Sequence, residues 1–231
     1  MTLQPDENGW LKVWEKPLPN SLYFISADVG KSGDFSSASV QHWGRNEQVA
    51  TVHGHFEPDY FGQILFKLGH YYNDALVIPE NNGIGAGCVA ALRLMDYPNL
   101  YTVKVLIDQQ INKVEETYGF NTNTRTRPLL IAAGQKSIRE HAAIIRDADY
   151  ILEMQAFQRN TDGKFEAART STGIEKDDRV MTFLIGQWYY QTNPVPEFAG
   201  LSSGGSFSAP DGGPSLNAPM GTGLDTMDFT S

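Results

Sequence analysis

The chain has 231 residues, of which 41% are hydrophobic and 11% aromatic, enough for a sizeable core and too apolar for general disorder. A single cysteine, Cys88, excludes an internal disulfide, and five scattered histidines without cysteine partners exclude a zinc finger or ribbon. The net charge of −9 argues by itself against nucleic acid, but Glu197, Asp211, Asp225 and Asp228 supply −4 of it from the segment after residue 191, leaving −5 for the rest.

Residues 1–20 read as an N-terminal linker, polar and without the apolar centre of a signal peptide. Three strand-like runs follow at about 22–29, 36–43 and 47–56, separated by the turn-rich pieces GKSGDFS and GRNE, which is the pattern of an antiparallel meander. Residues 58–72 have Phe61, Ile64, Leu65 and Leu68 at helical spacing. ALVIPE is a short apolar strand ending at Glu80, GAGCVAALRLM opens a helix, and residues 100–107 read as another strand.

The polar piece 108–127 is a loop or hairpin, and a long helix is expected over about 128–147, with Pro128 acceptable in its first turn. Residues 150–170 read as an extended pair, and a last helix is expected over about 175–191, with acids at its start where the helix dipole favours them. From residue 192 to 231 the chain is rich in Gly, Pro and Ser and reads as a flexible tail. No apolar run approaches the roughly 20 residues of a membrane span. The lone Cys88 fits a reducing, intracellular setting.

Strands followed by strand–helix units define an α/β class: a ribonuclease H-like mixed sheet, three antiparallel strands then parallel βα units, flanked by helices, over residues 21–191. Asp28 ends the first strand of this plan, Glu80 ends the fourth, and Asp177 and Asp178 open the last helix. Parallel neighbours would bring Asp28 and Glu80 to the same sheet edge, where ligand sites of open α/β sheets gather. Crowded carboxylates resist ionisation, and a hard divalent cation such as Mg²⁺ relieves them. Two such ions about 3.5–4 Å apart activate water and stabilise the leaving oxygen of a phosphodiester. Each acid also has a plain structural reading, as a turn former at Asp28, a loop acid at Glu80 and helix caps at Asp177 and Asp178.

Four stretches together resemble the C-terminal nuclease domain of the large terminase subunit of tailed bacteriophages. They are GWLKVWEKPLPNSLYFISADVGKSGDFSSASV, ALVIPENNGIGAGCVAAL, YGFNTNTRTRPLLIAAGQKSIRE and TGIEKDDRVMTFLIGQW. The resemblance covers roughly residues 9–191. It implies a two-metal-ion endodeoxyribonuclease that uses Mg²⁺ or Mn²⁺ to cut concatemeric viral DNA during genome packaging. It places catalytic, metal-holding acids on Asp28, Glu80, Asp177 and Asp178, with Asp34 as an accessory ligand. It implies double-stranded DNA as substrate, an N-terminal packaging ATPase domain in the full-length protein, the portal and small terminase subunit as partners, and the cytoplasm of an infected bacterium as location. Many relatives have a histidine before the doublet; here it is Lys176. No GxxxxGK[ST] phosphate loop occurs, since AAGQKS lacks the Gly-Lys order, so this chain is expected to cut without translocating DNA.

DNA contact requires cations, and the candidates are Arg125, Arg127, Lys136, Arg139, Arg159, Lys164, Arg169, Lys176 and Arg179. Phosphate contacts from such residues position a duplex without reading its bases. Two other readings keep the fold: a non-catalytic DNA-docking or motor-coupling module with structural acids, and a junction resolvase or exonuclease. Gly83, Gly85 and Gly87 suggest a dinucleotide loop, but close packing of helix on sheet explains them as well. His53 and His55 alternate along a strand and so share a face.

Overall fold

The computed structural model describes residues 9–30, 33–108, 113–161, 163–170, 173–174 and 176–195, without the side chains of 105–108, 113–114, 169–170 and 173–174. The tail expected from residue 192 therefore lies outside the described residues from 196 onward.

Alternating small and apolar residues build the central sheet. β1 (Leu11–Val13), β2 (Tyr23–Asp28), β3 (Ser36–His42) and β4 (Glu47–Gly54) precede α1 (Pro58–Tyr71), β5 (Leu76–Pro79) and α2 (Gly85–Leu94). The strand order is β1-β4-β3-β2-β5. β2, β3 and β4 form the antiparallel meander, while β5 runs parallel to β2 with Ala27 opposite Pro79. The segment expected as a linker contributes β1, an edge strand paired antiparallel with β4.

The pleat sends alternate β2 side chains to two cores. Tyr23, Ile25 and Ala27 join Phe61, Leu65 and Leu68 of α1 and Cys88 and Leu92 of α2 on one face. Phe24 faces the other core with Ile78, Phe183 and Tyr189. Each fully buried large apolar side chain contributes about 1.5–3 kcal/mol, so both faces must be covered. Pro58 stands at the start of α1, where its missing N–H costs nothing.

The second half departs from its expected outline. β6 (Thr102–Asp108) pairs with β7 (Lys113–Tyr118) as a two-stranded hairpin, not as a full strand of the main sheet. Only isolated parallel bridges, Val77 to Leu100 and Glu80 to Phe120, extend the sheet beyond β5 among the described residues. The long helix expected over 128–147 stops at Arg139, the end of α3 (Thr126–Arg139), and a separate helix, α4 (Ala148–Ala156), begins only after residue 147. His141 takes a left-handed φ of 50°, and the chain then runs to the start of β4. There Ile144 N–H donates to Asn46 O at 3.0 Å and Gln48 N–H to Ile144 O at 2.9 Å. These long-range hydrogen bonds override local helix propensity. The extended pair expected over 150–170 is confined to β8 (Phe157–Arg159) and β9 (Phe165–Ala167), because residues up to 156 belong to α4.

Two short strands, β10 (Arg169–Thr170) and β11 (Gly173–Ile174), lead to α5 (Asp178–Thr192), which packs on β2 and β3 and against α3 and α4. Its close approach uses Gly186, where a Cβ would lie 2.8 Å from Ser26 Oγ. Its register is fixed by a reciprocal amide pair: Asn46 Nδ2 donates to Gln187 Oε1 at 2.9 Å, and Gln187 Nε2 to Asn46 Oδ1 at 3.1 Å.

Candidate active site

Parallel pairing of β2 and β5 sets the site. Glu80 N–H donates to Ala27 O at 2.8 Å, which carries Asp28 and Glu80 past the strand ends side by side. The Glu80 carboxyl stands beside that of Asp28 and raises it. Asn82 Nδ2 donates to Glu80 Oε1 at 2.9 Å and to Thr122 O at 2.5 Å, tying the acid to the loop before α3. Gly85 permits the tight turn into α2, since a Cβ there would meet Glu80 O at 2.2 Å. That close approach accounts for Gly85 in the glycine-rich stretch without a dinucleotide.

The start of α5 arrives beside this pair. Burial, the Glu80 carboxyl, and then the charges of Asp178 and Asp177 push the Asp28 carboxyl well above the ordinary carboxylate range. Burial pushes Asp178 up to about 7, aided by Glu153 and Asp177 and opposed by Lys176. Burial also raises Asp177, against the lowering effect of Arg127. The two aspartates are not equivalent. Asp177 Oδ2 lies 3.5 Å from Arg127 Nη2. Asp178 Oδ2 is buried with no hydrogen-bond partner.

Every acid here offers oxygen alone. A buried carboxylate oxygen without a donor, beside two further acids, fits a hard divalent cation that takes few carboxylates and completes its shell with water. Among the described residues, no group of three or more His, Cys, Asp or Glu side chains is placed to hold a metal ion by itself, so a cation here would rest on fewer carboxylates and complete its shell with water.

Asp34 lies near enough to Asp178 to raise it and is itself ion-paired. Its Oδ1 accepts from Lys176 Nζ at 2.9 Å, and both side chains are about half exposed. His53 and His55, which share a face of β4 and its extension, both pack on one aromatic ring. Both rings lie on Phe35, with centroids 4.4 and 3.8 Å away, and burial lowers His53 to about 4.

The nine cations divide into groups. Arg125, Lys136, Arg139, Arg159 and Lys164 lie at the surface, with Arg159 over the Phe165 ring at 5.2 Å and Arg139 3.8 Å from Glu140. Arg127 instead turns inward, donating to Phe165 O at 3.2 Å and bonding Met181 Sδ at 3.4 Å as well as facing Asp177. Arg179, also a candidate for DNA contact, is 14% exposed and pairs with Glu153 and Asp149. The Arg169 side chain lies outside the described residues. Sequence reasoning does not find Glu153 or Asn82. Glu153 is hidden because its helix reads as extended, although its i, i+4 spacing from Asp149 is a usable signal.

A three-strand antiparallel meander, a parallel strand beyond its first member, helices on both faces and acids at the carboxyl edge define a ribonuclease H-like fold. Solved structures that share it include nuclease domains of large terminases. That of thermophilic phage G20c with bound magnesium aligns at a TM-score of 0.61 and 19% identity, covering 79% of this chain and 88% of that one. The same phage's domain with bound zinc aligns at 0.57 and 18%, covering 80% and 90%. The large terminase nuclease domain of Thermus phage P74-26 aligns at 0.58 and 20%, covering 85% and 94%. At these identities the likeness is one of fold. No family model matches the sequence, and no curated protein matches it.

Proposed function

We propose that the chain is the nuclease domain of a large terminase subunit, a divalent-metal-dependent endonuclease that cuts concatemeric viral DNA during packaging. The observation that carries this reading is the placement of the Asp28 and Glu80 carboxyls side by side past the ends of parallel strands, with the Asp178 carboxyl, its Oδ2 unpartnered, alongside. The same folds carrying magnesium, cobalt and zinc support a divalent metal here.

Asp28, Glu80 and Asp178 would hold Mg²⁺ or Mn²⁺, with two ions as the working expectation, Asp177 beside them and Asp34 as the outer, accessory ligand. When bound, such ions supply Lewis-acid activation of water and charge stabilisation at the scissile phosphate. The protein's part is to hold the acids in place. Asn82 orients Glu80, and Arg127 occupies Asp177. The Lys176 ammonium, beside Asp34, keeps a positive charge near the acids where a phosphate would come. Arg125, Lys136, Arg139, Arg159 and Lys164 would bind the backbone of double-stranded DNA without reading sequence.

The domain is proposed to span residues 21–191, together with the edge strand β1, and to act with an N-terminal packaging ATPase domain, the portal and the small terminase subunit in the host cytoplasm. Among the described residues no helix is long and apolar enough to cross a membrane. The test is digestion of supercoiled plasmid with Mg²⁺, Mn²⁺, Ca²⁺ or chelator. Nicking and linearisation with Mg²⁺ or Mn²⁺ and none with chelator are expected. Duplex binding with no cleavage under any metal would replace this reading with the docking module.

A further inference from the structure

An aspartate at a helix start ordinarily caps it, because the first four N–H groups have no partner inside the helix. α5 begins with two aspartates, yet the Asp177 side chain makes no capping hydrogen bond and Asp178 Oδ2 has no partner at all. The cap comes from another element. Glu153 of α4 reaches across, and its Oε2 accepts from the Arg179 backbone N–H at 2.9 Å. Its Oε1 accepts from Arg179 Nη1, so one carboxylate grips both the backbone and the side chain of the residue that follows Asp178.

Glu153 is itself held. Its side chain is 11% exposed, and Asp149, one turn earlier on α4, lies 3.4 Å from Arg179 Nη2. Asp149 Oδ2 and Asp147 Oδ1 each accept from Lys12 Nζ of β1 at 2.8 Å. Asp147 is buried; its Oδ2 accepts from Thr51 Oγ1 at 2.9 Å and its N–H donates to Gln48 Oε1 at 2.8 Å. A continuous set of charge-assisted hydrogen bonds thus runs from the sheet edge to the first turn of α5.

We infer that Glu153 is a positioning residue for the nuclease site: by capping α5 from outside, it frees the carboxyl of Asp178 from cap duty and fixes it toward Asp28. This rests on the nuclease reading above. Groups that orient metal ligands typically change metal affinity or activity by about 10–100-fold when removed.

Two variants separate reach from charge. Glu153→Asp keeps the charge and shortens the arm; Glu153→Gln keeps the arm and its acceptor oxygen and removes the charge. Mn²⁺ binding to the full chain, read as loss of the free Mn²⁺ electron paramagnetic resonance signal, should weaken about 10-fold in Glu153→Asp and stay within about 3-fold of the original in Glu153→Gln. Hydrogen–deuterium exchange across residues 177–183 in the metal-free protein should quicken in Glu153→Asp alone. Equal Mn²⁺ affinity in all three proteins overturns the inference, as does equal weakening in both variants, which would make Glu153 a direct ligand. If the unaltered protein binds no Mn²⁺, the nuclease reading fails and the positioning role falls with it. The exchange result then still decides whether Glu153 caps α5.

Discussion

Asp28 and Glu80 stand 52 positions apart in the chain, yet their carboxyls lie side by side because β2 and β5 pair in parallel and Glu80 N–H donates to Ala27 O at 2.8 Å just past the strand ends. Two like carboxyls this close need a proton between them or a cation beside them. The Asp28→Asn protein should therefore lose DNA cleavage, by at least about 100-fold if this group carries metal-dependent chemistry. Without metal its melting temperature should equal or exceed that of the original, because a like-charge pair is gone. Mn²⁺ should no longer raise it. Retained cleavage with Mn²⁺ would remove Asp28 from the site.

The acids also make stability depend on pH in a defined direction. Asp178 is raised to about 7 by burial and by neighbouring acids, and Asp28 is raised by burial and Glu80. A carboxyl raised in the folded state holds its proton more tightly there than in the unfolded chain, where it titrates near about 4. The stability it contributes is full below about pH 4 and is lost as pH climbs through about 7. In chelator, the melting temperature should fall between pH 5 and pH 8, with about 2–4 °C lost per kcal/mol for a domain of this size. Mg²⁺ should reduce that fall, and Asp178→Asn should flatten it. A melting temperature that rises across this window would contradict the electrostatics described here.

Gly85 couples the helix to the acid. Replacing it with Ala drives a Cβ to within 2.2 Å of Glu80 O, a backbone atom that cannot step aside without moving Glu80. Overpacking of this kind costs about 1–3 kcal/mol. Gly85→Ala should lower the urea midpoint and reduce cleavage more than about 10-fold. Unchanged cleavage would show that Glu80 tolerates displacement.

The exposed and inward-facing cations should separate experimentally. Arg159→Gln and Lys164→Gln, on the β8–β9 hairpin, should weaken duplex binding uniformly across sequences. For each side chain that truly pairs with a phosphate, its removal should reduce the slope of log K against log salt by about 0.9. Thermal stability should hold for both. Arg179→Gln should instead lower stability, because it leaves the nearly buried Glu153 without its ionic partner. Fluorescence anisotropy with labelled duplex at several salt concentrations, alongside melting curves, distinguishes the two outcomes.

Much of the site is legible in the sequence because it depends on strand ends. The apolar runs before Asp28 and Glu80 and the apolar helix after Asp178 are local patterns, and the meander with α1, β5 and α5 follows from them. Long-range hydrogen bonding is not legible. Nothing local in REHAAIIRD shows that His141 will turn left-handed or that Ile144 will pair beside Glu47. Reading residues 150–170 as an extended pair hides α4 and its Glu153. The adjacent residues Asp177 and Asp178 cannot be told apart locally either, since Arg127 engages one from a distance of 50 positions.

Crystals soaked in Mn²⁺ and measured at the manganese absorption edge test the central claim most directly. An anomalous peak bonded to carboxylate oxygens of Asp28 and Glu80, with Asp178 in its shell, is the predicted result. Full occupancy of Mn²⁺ elsewhere, with those acids unliganded, would contradict it.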